Sequence, residues 1–202
     1  AGQGVIETEI LRGQNIGTVP VGTHLEEELK AKATIKVEDK ITTDHIMPAG
    51  ARLKFRSNIP VYAKYVFEPC DPQFHDKALA NKAVGFGNVI IAGESYGQGS
   101  SREHAALCPM YLGVRAIIAK SIERIHNANL INFGIVPFVF ADTAAYDGID
   151  AEDELVFEKL SEAIAADGCV TVRNLTKGTS FVVQAKLTER QKAILAAGGL
   201  MR

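Results

Sequence analysis

Apolar and polar positions follow more than one rhythm along this chain, and the changes of rhythm divide it. Ala33–Val37 alternates with the period of two expected of a strand, and Glu38-Asp39-Lys40 is a polar turn. Ile41–Ile46 reads as a second short strand. Met47–Pro60 holds two prolines, one glycine and three basic residues and reads as a loop. Pro60–Phe67 and Gln73–Lys82 carry helical spacing. Three short, nearly continuous apolar bursts follow at Asn88–Ala92, Val114–Ala119 and Ile135–Phe140, each bounded by Gly, Pro or Asn. Helical patterns lie between them at Ser101–Leu112 and Ser121–Ile131. Strands apolar on both faces and separated by helices predict an α/β fold with a βαβαβ parallel core. Beyond Ala141 the pattern changes. Leu155–Lys159, Val170–Arg173 and Ser180–Leu187 read as additional, antiparallel strands, with a hairpin turn over Asn174–Gly178. Thr188 caps and Gly198 stops a closing helix, Thr188–Ala197. Residues 1–32 have scattered glycines and no sustained period. They are expected to form a linker or N-terminal arm with a short helix near Glu26–Lys32, leaving 33–202 as the folded domain.

Bulk properties remove several classes of function. With 47% apolar residues the 202-residue chain can bury one sizeable core, and a net charge of −2 gives no reason to expect DNA as partner. No apolar run reaches the roughly 18 residues of a membrane helix. Cys70, Cys108 and Cys169 are odd in number, far apart and outside any CxxC pair. They suggest neither a disulfide framework nor a metal or cluster site, and a reducing compartment is expected: the cytoplasm, or the mitochondrial matrix in a eukaryote. A start at Ala1, without Met or signal-peptide pattern, is expected of a processed chain or a fragment.

Candidate chemistry concentrates in two stretches. Gly93–Leu107 reads GESYGQGSSREHAAL and joins a buried strand to a helix. Its glycines allow left-handed turns and close approach of backbone to a ligand. It is neither a Walker loop nor GxGxxG, since no Lys-Ser/Thr follows and Arg102 stands where a third glycine would be. Ser100-Ser101-Arg102-Glu103 fits a capping box, with Ser100 as the cap. The helix start then presents free N–H groups and Arg102 a planar fork, a combination suited to a carboxylate. A glycine turn before a capped helix is also common without any ligand. Its place at the carboxyl end of a parallel strand is what favours a site. The second stretch, Ile41–Asn58, contains Asp44-His45, a candidate proton-handling or orienting pair, and the basic residues Arg52, Lys54 and Arg56. Each of these alone also fits a core histidine or a solvated loop. His104 and Cys108 stand four apart, but without further ligands they read as a packed helix face rather than a metal pair. His126 either lines the same cleft or packs beneath it.

Taken together, ITTDHIMPAG and YGQGSSREHAALCPMYLGVRAIIAKSIERIHNANLINFGIVPF closely resemble the C-terminal swivel domain of the aconitases, over about residues 33–140 and more weakly to about 187. The resemblance implies an aconitase swivel-type α/β domain that closes over a larger body. It implies Ser100 as catalytic base, Ser101 and Arg102 on one substrate carboxylate, Arg56 on another, and Asp44 and His45 in the active site. It also implies a four-iron four-sulfur cluster. This chain lacks the cysteine motifs for one, so the cluster is expected on a partner domain or large subunit, with none bound here. The expected activity is reversible citrate–isocitrate isomerisation through cis-aconitate, the substrate being a tricarboxylate. Arg56 favours this over the related small subunits of 3-isopropylmalate dehydratase and homoaconitase. A non-catalytic metabolite-sensing or interaction module is the reading from another class.

Overall fold

The structure, a computed structural model, describes residues 16–18 and 20–200. Along the chain the elements are β1 (Leu29–Lys36), α1 (Thr43–Ile46), α2 (Ile59–Tyr62), α3 (Phe74–Ala83), β2 (Gly87–Ala92), α4 (His104–Tyr111), β3 (Val114–Ala119), α5 (Arg124–Asn132), β4 (Val136–Phe140), β5 (Glu154–Phe157), α6 (Leu160–Ala165), β6 (Cys169–Asn174), β7 (Thr179–Gln184) and α7 (Glu189–Ala196). Turns of 3-10 helix occupy Gly50–Phe55, Ala63–Tyr65 and Thr143–Gly148.

The expected βαβαβ unit is β2–α4–β3–α5–β4, and β1 adds a fourth parallel strand beside β2. β5, β6 and β7 complete the sheet with antiparallel pairings and bring it round to β1. The seven strands thus close into a barrel in the order β1-β2-β3-β4-β7-β6-β5, where the sequence had suggested only a small mixed sheet. Closure follows from Leu29–Lys32, which pair with Glu154–Phe157 across the gap. Those four residues lie inside the stretch expected to be arm and helix. That expectation failed because Leu29 and Ala31 are barrel residues, and their alternation was too short to recognise. The remainder of the arm before residue 16 lies outside the described residues.

The apolar bursts are buried on both faces, as parallel strands covered on each side must be. Val89, Ile91, Ala116, Ile118, Val136 and Phe138 fill the barrel with Leu155, Phe157, Val170, Val172 and Val183. Ile90, Ala92, Ile117 and Ala119 point outward beneath the helices, against Tyr62, Phe67, Phe74 and Leu112. Burying one such side chain contributes about 1.5–3 kcal/mol. In β1 the register slips between Ala33 and Ile35, so Ala33 faces the barrel while Ile35 faces the helices. Thr34, at the slip, joins a buried polar staple. Its hydroxyl donates to Asn88 Oδ1, and Asn88 Nδ2 donates to the carbonyls of Ala78 and Leu112 at 3.0 Å each. The staple fixes α3 and the end of α4 to the barrel.

Other local expectations also needed correction. Ile41–Ile46 is not a strand. Thr42 caps a helical turn, accepting from His45 N while His45 Nδ1 accepts from Thr42 N, so only the Thr42–Gln98 bridge remains of a ladder. Ser100 caps nothing: α4 begins at His104, and the residue before it, Glu103, is helical and makes no side-chain cap. The Pro60–Phe67 pattern resolves into α2 and a 3-10 turn, and part of the Met47–Pro60 loop is itself a 3-10 turn. Helix α6 was not anticipated. The closing helix is as expected, with Thr188 accepting from Gln191 N in a capping box. No described helix is long and apolar enough to cross a membrane.

Candidate active site

The carboxyl ends of β1, β2 and β3 continue as loops that are stitched side by side, and this stitching builds the site. Lys40 N donates to Glu94 O at 2.7 Å, Gly97 N to Ile41 O at 2.7 Å and Thr43 N to Gln98 O at 2.8 Å, tying the loop after β1 to the loop after β2. On the other side Tyr96 N donates to Ser121 O and Glu123 N to Tyr96 O, tying it to the loop after β3. Gly93 and Gly97 are required by this crowding. A Cβ at Gly93 would run into Asp39, and one at Gly97 into the His126 ring. Gly97 and Gly99 also sit at φ +88° and +102°, where other residues are strained.

The chain emerges at Ser100 and Ser101, both exposed. Ser100 Oγ lies 3.3 Å from Thr43 Oγ1, so the two motif stretches meet at the hydroxyl itself. Arg102 runs back beneath the TTDHI turn with its side chain 16% exposed. Its Nη1 donates to Asp44 Oδ1 and Met47 O at 2.7 Å each, and to Thr43 O at 3.3 Å. Among the described residues its Nε and Nη2 make no hydrogen bond, which leaves an edge of the fork for a ligand. The first N–H groups of α4 are spent on the preceding turn, Ala105 N donating to Arg102 O at 3.1 Å and Ala106 N to Glu103 O at 2.9 Å.

Asp44 and His45, read as a pair from their adjacency, do not pair. Asp44 goes to Arg102, and His45 closes the cap on Thr42 with its ring exposed. The loop that follows is held from below. Tyr62, fully buried, donates through Oη to Pro48 O at 3.0 Å and meets His104 edge-on at 5.3 Å. Burial pushes the Tyr62 phenol above its ordinary value, with the nearby Cys108 adding to the effect. His104 Nε2 hydrogen-bonds the carbonyl oxygen of Arg56 at 3.0 Å, pinning that residue to the first turn of α4. Of the loop's arginines, Arg52 is held by Glu68 at 2.8 Å and stacks 4.0 Å from Tyr65. Arg56 is exposed and has no carboxylate partner among the described residues.

Ser100 therefore meets the buried Thr43, Arg102 meets Asp44, and Arg56 is tied through its carbonyl to the first turn of α4. Of these, Thr43 was not singled out from sequence, although it sits inside the TTDHI motif. His45 contributes by shaping the turn. His126 neither lines the cleft nor faces solvent, but lies buried under Gly97. Cys108 is buried, and that burial drives its thiol far above the ordinary value, which disfavours the thiolate. The resemblance implies an iron–sulfur cluster, and the described residues of this chain do not fit one. Among the described residues no three His, Cys, Asp or Glu side chains group as ligands, and the cysteines are dispersed, one buried and two exposed.

Comparison with known proteins shows the family. A family model described as the aconitase C-terminal domain matches residues 21–143. A mitochondrial aconitate hydratase of Gracilaria gracilis is 36% identical over 171 residues, covering 73% of this chain and 21% of that protein. A 3-isopropylmalate dehydratase small subunit of Archaeoglobus fulgidus is 43% identical over 166 residues, covering 82% of this chain and 88% of that protein. A crystal structure of 3-isopropylmalate dehydratase from Methanocaldococcus jannaschii matches with a TM-score of 0.63 at 29% identity, over 86% of this chain and 90% of that one. The chain spans about a quarter of the length of the aconitate hydratases it matches, and most of the archaeal small subunit. With its mixed α/β fold and its paired motifs, this chain belongs to the aconitase C-terminal domain family, whose relatives are hydro-lyases.

Proposed function

We propose that this chain supplies the catalytic base and carboxylate clamps of an aconitate hydratase, which interconverts citrate and isocitrate through cis-aconitate. The observation that carries the reading is the meeting of Ser100 Oγ and Thr43 Oγ1 at 3.3 Å beside a partly buried Arg102 whose fork is half used. A serine hydroxyl is too weak an acid to act as a base unaided at neutral pH. Here the Arg102 guanidinium and the Thr43 hydroxyl both favour negative charge on Oγ. As an alkoxide, Ser100 takes the proton from the substrate carbon. The C–H electron pair becomes the new double bond, and hydroxide leaves from the neighbouring carbon. Hydration in the reverse sense returns the proton from Ser100. Ser101, Arg102 and Arg56 hold carboxylates, and Asp44 fixes the Arg102 fork in the plane it needs. A four-iron four-sulfur cluster, held by a cluster-bearing domain or large subunit against which this surface would close, would supply the Lewis acidity that helps hydroxide leave. The assembly works in the cytoplasm or the mitochondrial matrix.

Arg56 supports a third carboxylate and hence citrate. One observation favours a second reading: Leu53, in the same 3-10 turn, is 43% exposed and is the kind of side chain an isopropyl group would meet. The test pairs this chain with a cluster-bearing body that lacks its own swivel domain and follows elimination from citrate, isocitrate and 3-isopropylmalate. Turnover of citrate and isocitrate supports the first reading. Turnover of isopropylmalate alone keeps the mechanism and reassigns Arg56. No turnover, with a docked partner and an intact cluster, overturns both in favour of a non-catalytic module.

A further inference from the structure

Beneath the serine loop lie three buried side-chain atoms with no hydrogen-bond partner among the described residues: Tyr96 Oη and both ring nitrogens of His126. Tyr96 and His126 are 1% and 2% exposed, and their rings meet edge-on with centroids 5.3 Å apart. The backbone bonds between Tyr96 and Ser121 and Glu123 bring the first turn of α5 under the loop and carry His126 with it. There the imidazole lies against Gly97, at a spot where any Cβ would collide with it. Gly97 N donates to Ile41 O, two residues before Thr43, and Ser100 follows three residues later. The seat under Gly97 therefore sets the height of the serine.

Buried polar atoms without a partner are rare, and an ordered internal water is a common way in which they are satisfied. Such a water needs two or more polar partners, and this cluster offers three polar atoms on two touching rings. We propose that Tyr96 and His126 form an internal water-binding seat beneath Gly97, and that His126 is through it a positioning residue for Ser100. Burial draws the imidazole down from 6.5 to about 4, so it stays neutral at physiological pH, with one nitrogen to donate and one to accept. The kinetic half of this proposal rests on the reading of Ser100 as the base, whereas the water seat does not.

The test uses the assembled enzyme, this chain with its cluster-bearing part. His126→Phe keeps a ring under Gly97 and removes both nitrogens, and Tyr96→Phe removes Oη alone. Each is expected to lower kcat about tenfold or more with KM changed less than about twofold, because the base is displaced while the carboxylate clamps are not. The double variant is expected to be no slower than the worse single one, since both act through one water. Wild-type kcat in His126→Phe, or losses that simply add, would overturn the positioning role and leave a ring that only fills space. A high-resolution crystal structure decides the seat independently of activity. Ordered water within hydrogen-bond distance of Tyr96 Oη and a His126 nitrogen is expected, and a dry contact would refute it. If Ser100→Ala retains activity, the base assignment fails, and the diffraction result still decides the seat.

Discussion

Two charged clusters sit in the two halves of the barrel, and they use their polar groups differently. In the antiparallel half, Lys177 reaches Gly148 O, Asp150 and Asp153, while Asn174 Nδ2 donates to Asp153 Oδ2 at 2.6 Å and Asn174 Oδ1 accepts from Lys177 N. That cluster is turned in on itself, and it pins the β6–β7 hairpin to the loop before β5. In the parallel half, Arg102 binds Asp44 and two carbonyls through one nitrogen only, Ser100 is exposed, and Arg56 is unpaired among the described residues. One cluster completes its bonds within the protein. The other is left with unused donors at the carboxyl ends of parallel strands, where ligands bind in such folds. Unused capacity held in a rigid frame, more than charge, is what places the proposed site in the parallel half.

Substitutions can break this contrast. The largest expected effect is Ser100→Ala, which should lower turnover about a thousandfold or more with unfolding unchanged, measured by single-turnover elimination and thermal denaturation. Arg102→Lys replaces a fork by a point charge. It should cost about a hundredfold in kcat/KM, because both the clamp and the TTDHI turn shift. Thr43→Val removes the hydroxyl facing Ser100 and should lower kcat about tenfold, with Thr43→Ser restoring most of it. An unaffected Thr43→Val enzyme would remove Thr43 from the machinery.

Two further changes act on stability. Because burial lowers the His126 imidazole from 6.5 to about 4, the unfolded chain takes up its proton first as pH falls. The native state therefore loses stability between about pH 6.5 and 4, by about 3 kcal/mol from this group. Denaturant titrations across that window should show the slope, and His126→Phe should flatten it. The smallest change is expected in the antiparallel half. Asn174→Leu strips a bond from the buried Asp153 and should cost about 1–3 kcal/mol of stability while kcat stays within about twofold. A large loss of activity there would erase the distinction between the halves.

The α/β class, the βαβαβ core, the antiparallel additions and the capped closing helix were all legible in the sequence, because each rests on local periodicity or capping. Ser100, Arg102, Asp44 and Arg56 were legible as motif members, since their spacing is set within single loops. Local signals misled where long-range bonds prevail. Ser100 has the sequence of a cap, yet Arg102 is drawn away to Asp44 and Met47 and α4 starts later. Asp44 and His45 are neighbours in the chain, yet their partners lie in different places. Closure of the barrel, the pairing of Thr43 with Ser100 and the burial of His126 under Gly97 join residues 29 to 128 positions apart. The chain by itself determined the βαβαβ core, the antiparallel strands and the closing helix, and which residues could do chemistry, because those depend on near neighbours. Only the tertiary structure decided which polar groups are consumed by one another and which stay free, because a hydrogen bond counts its partner's distance in space and not in sequence.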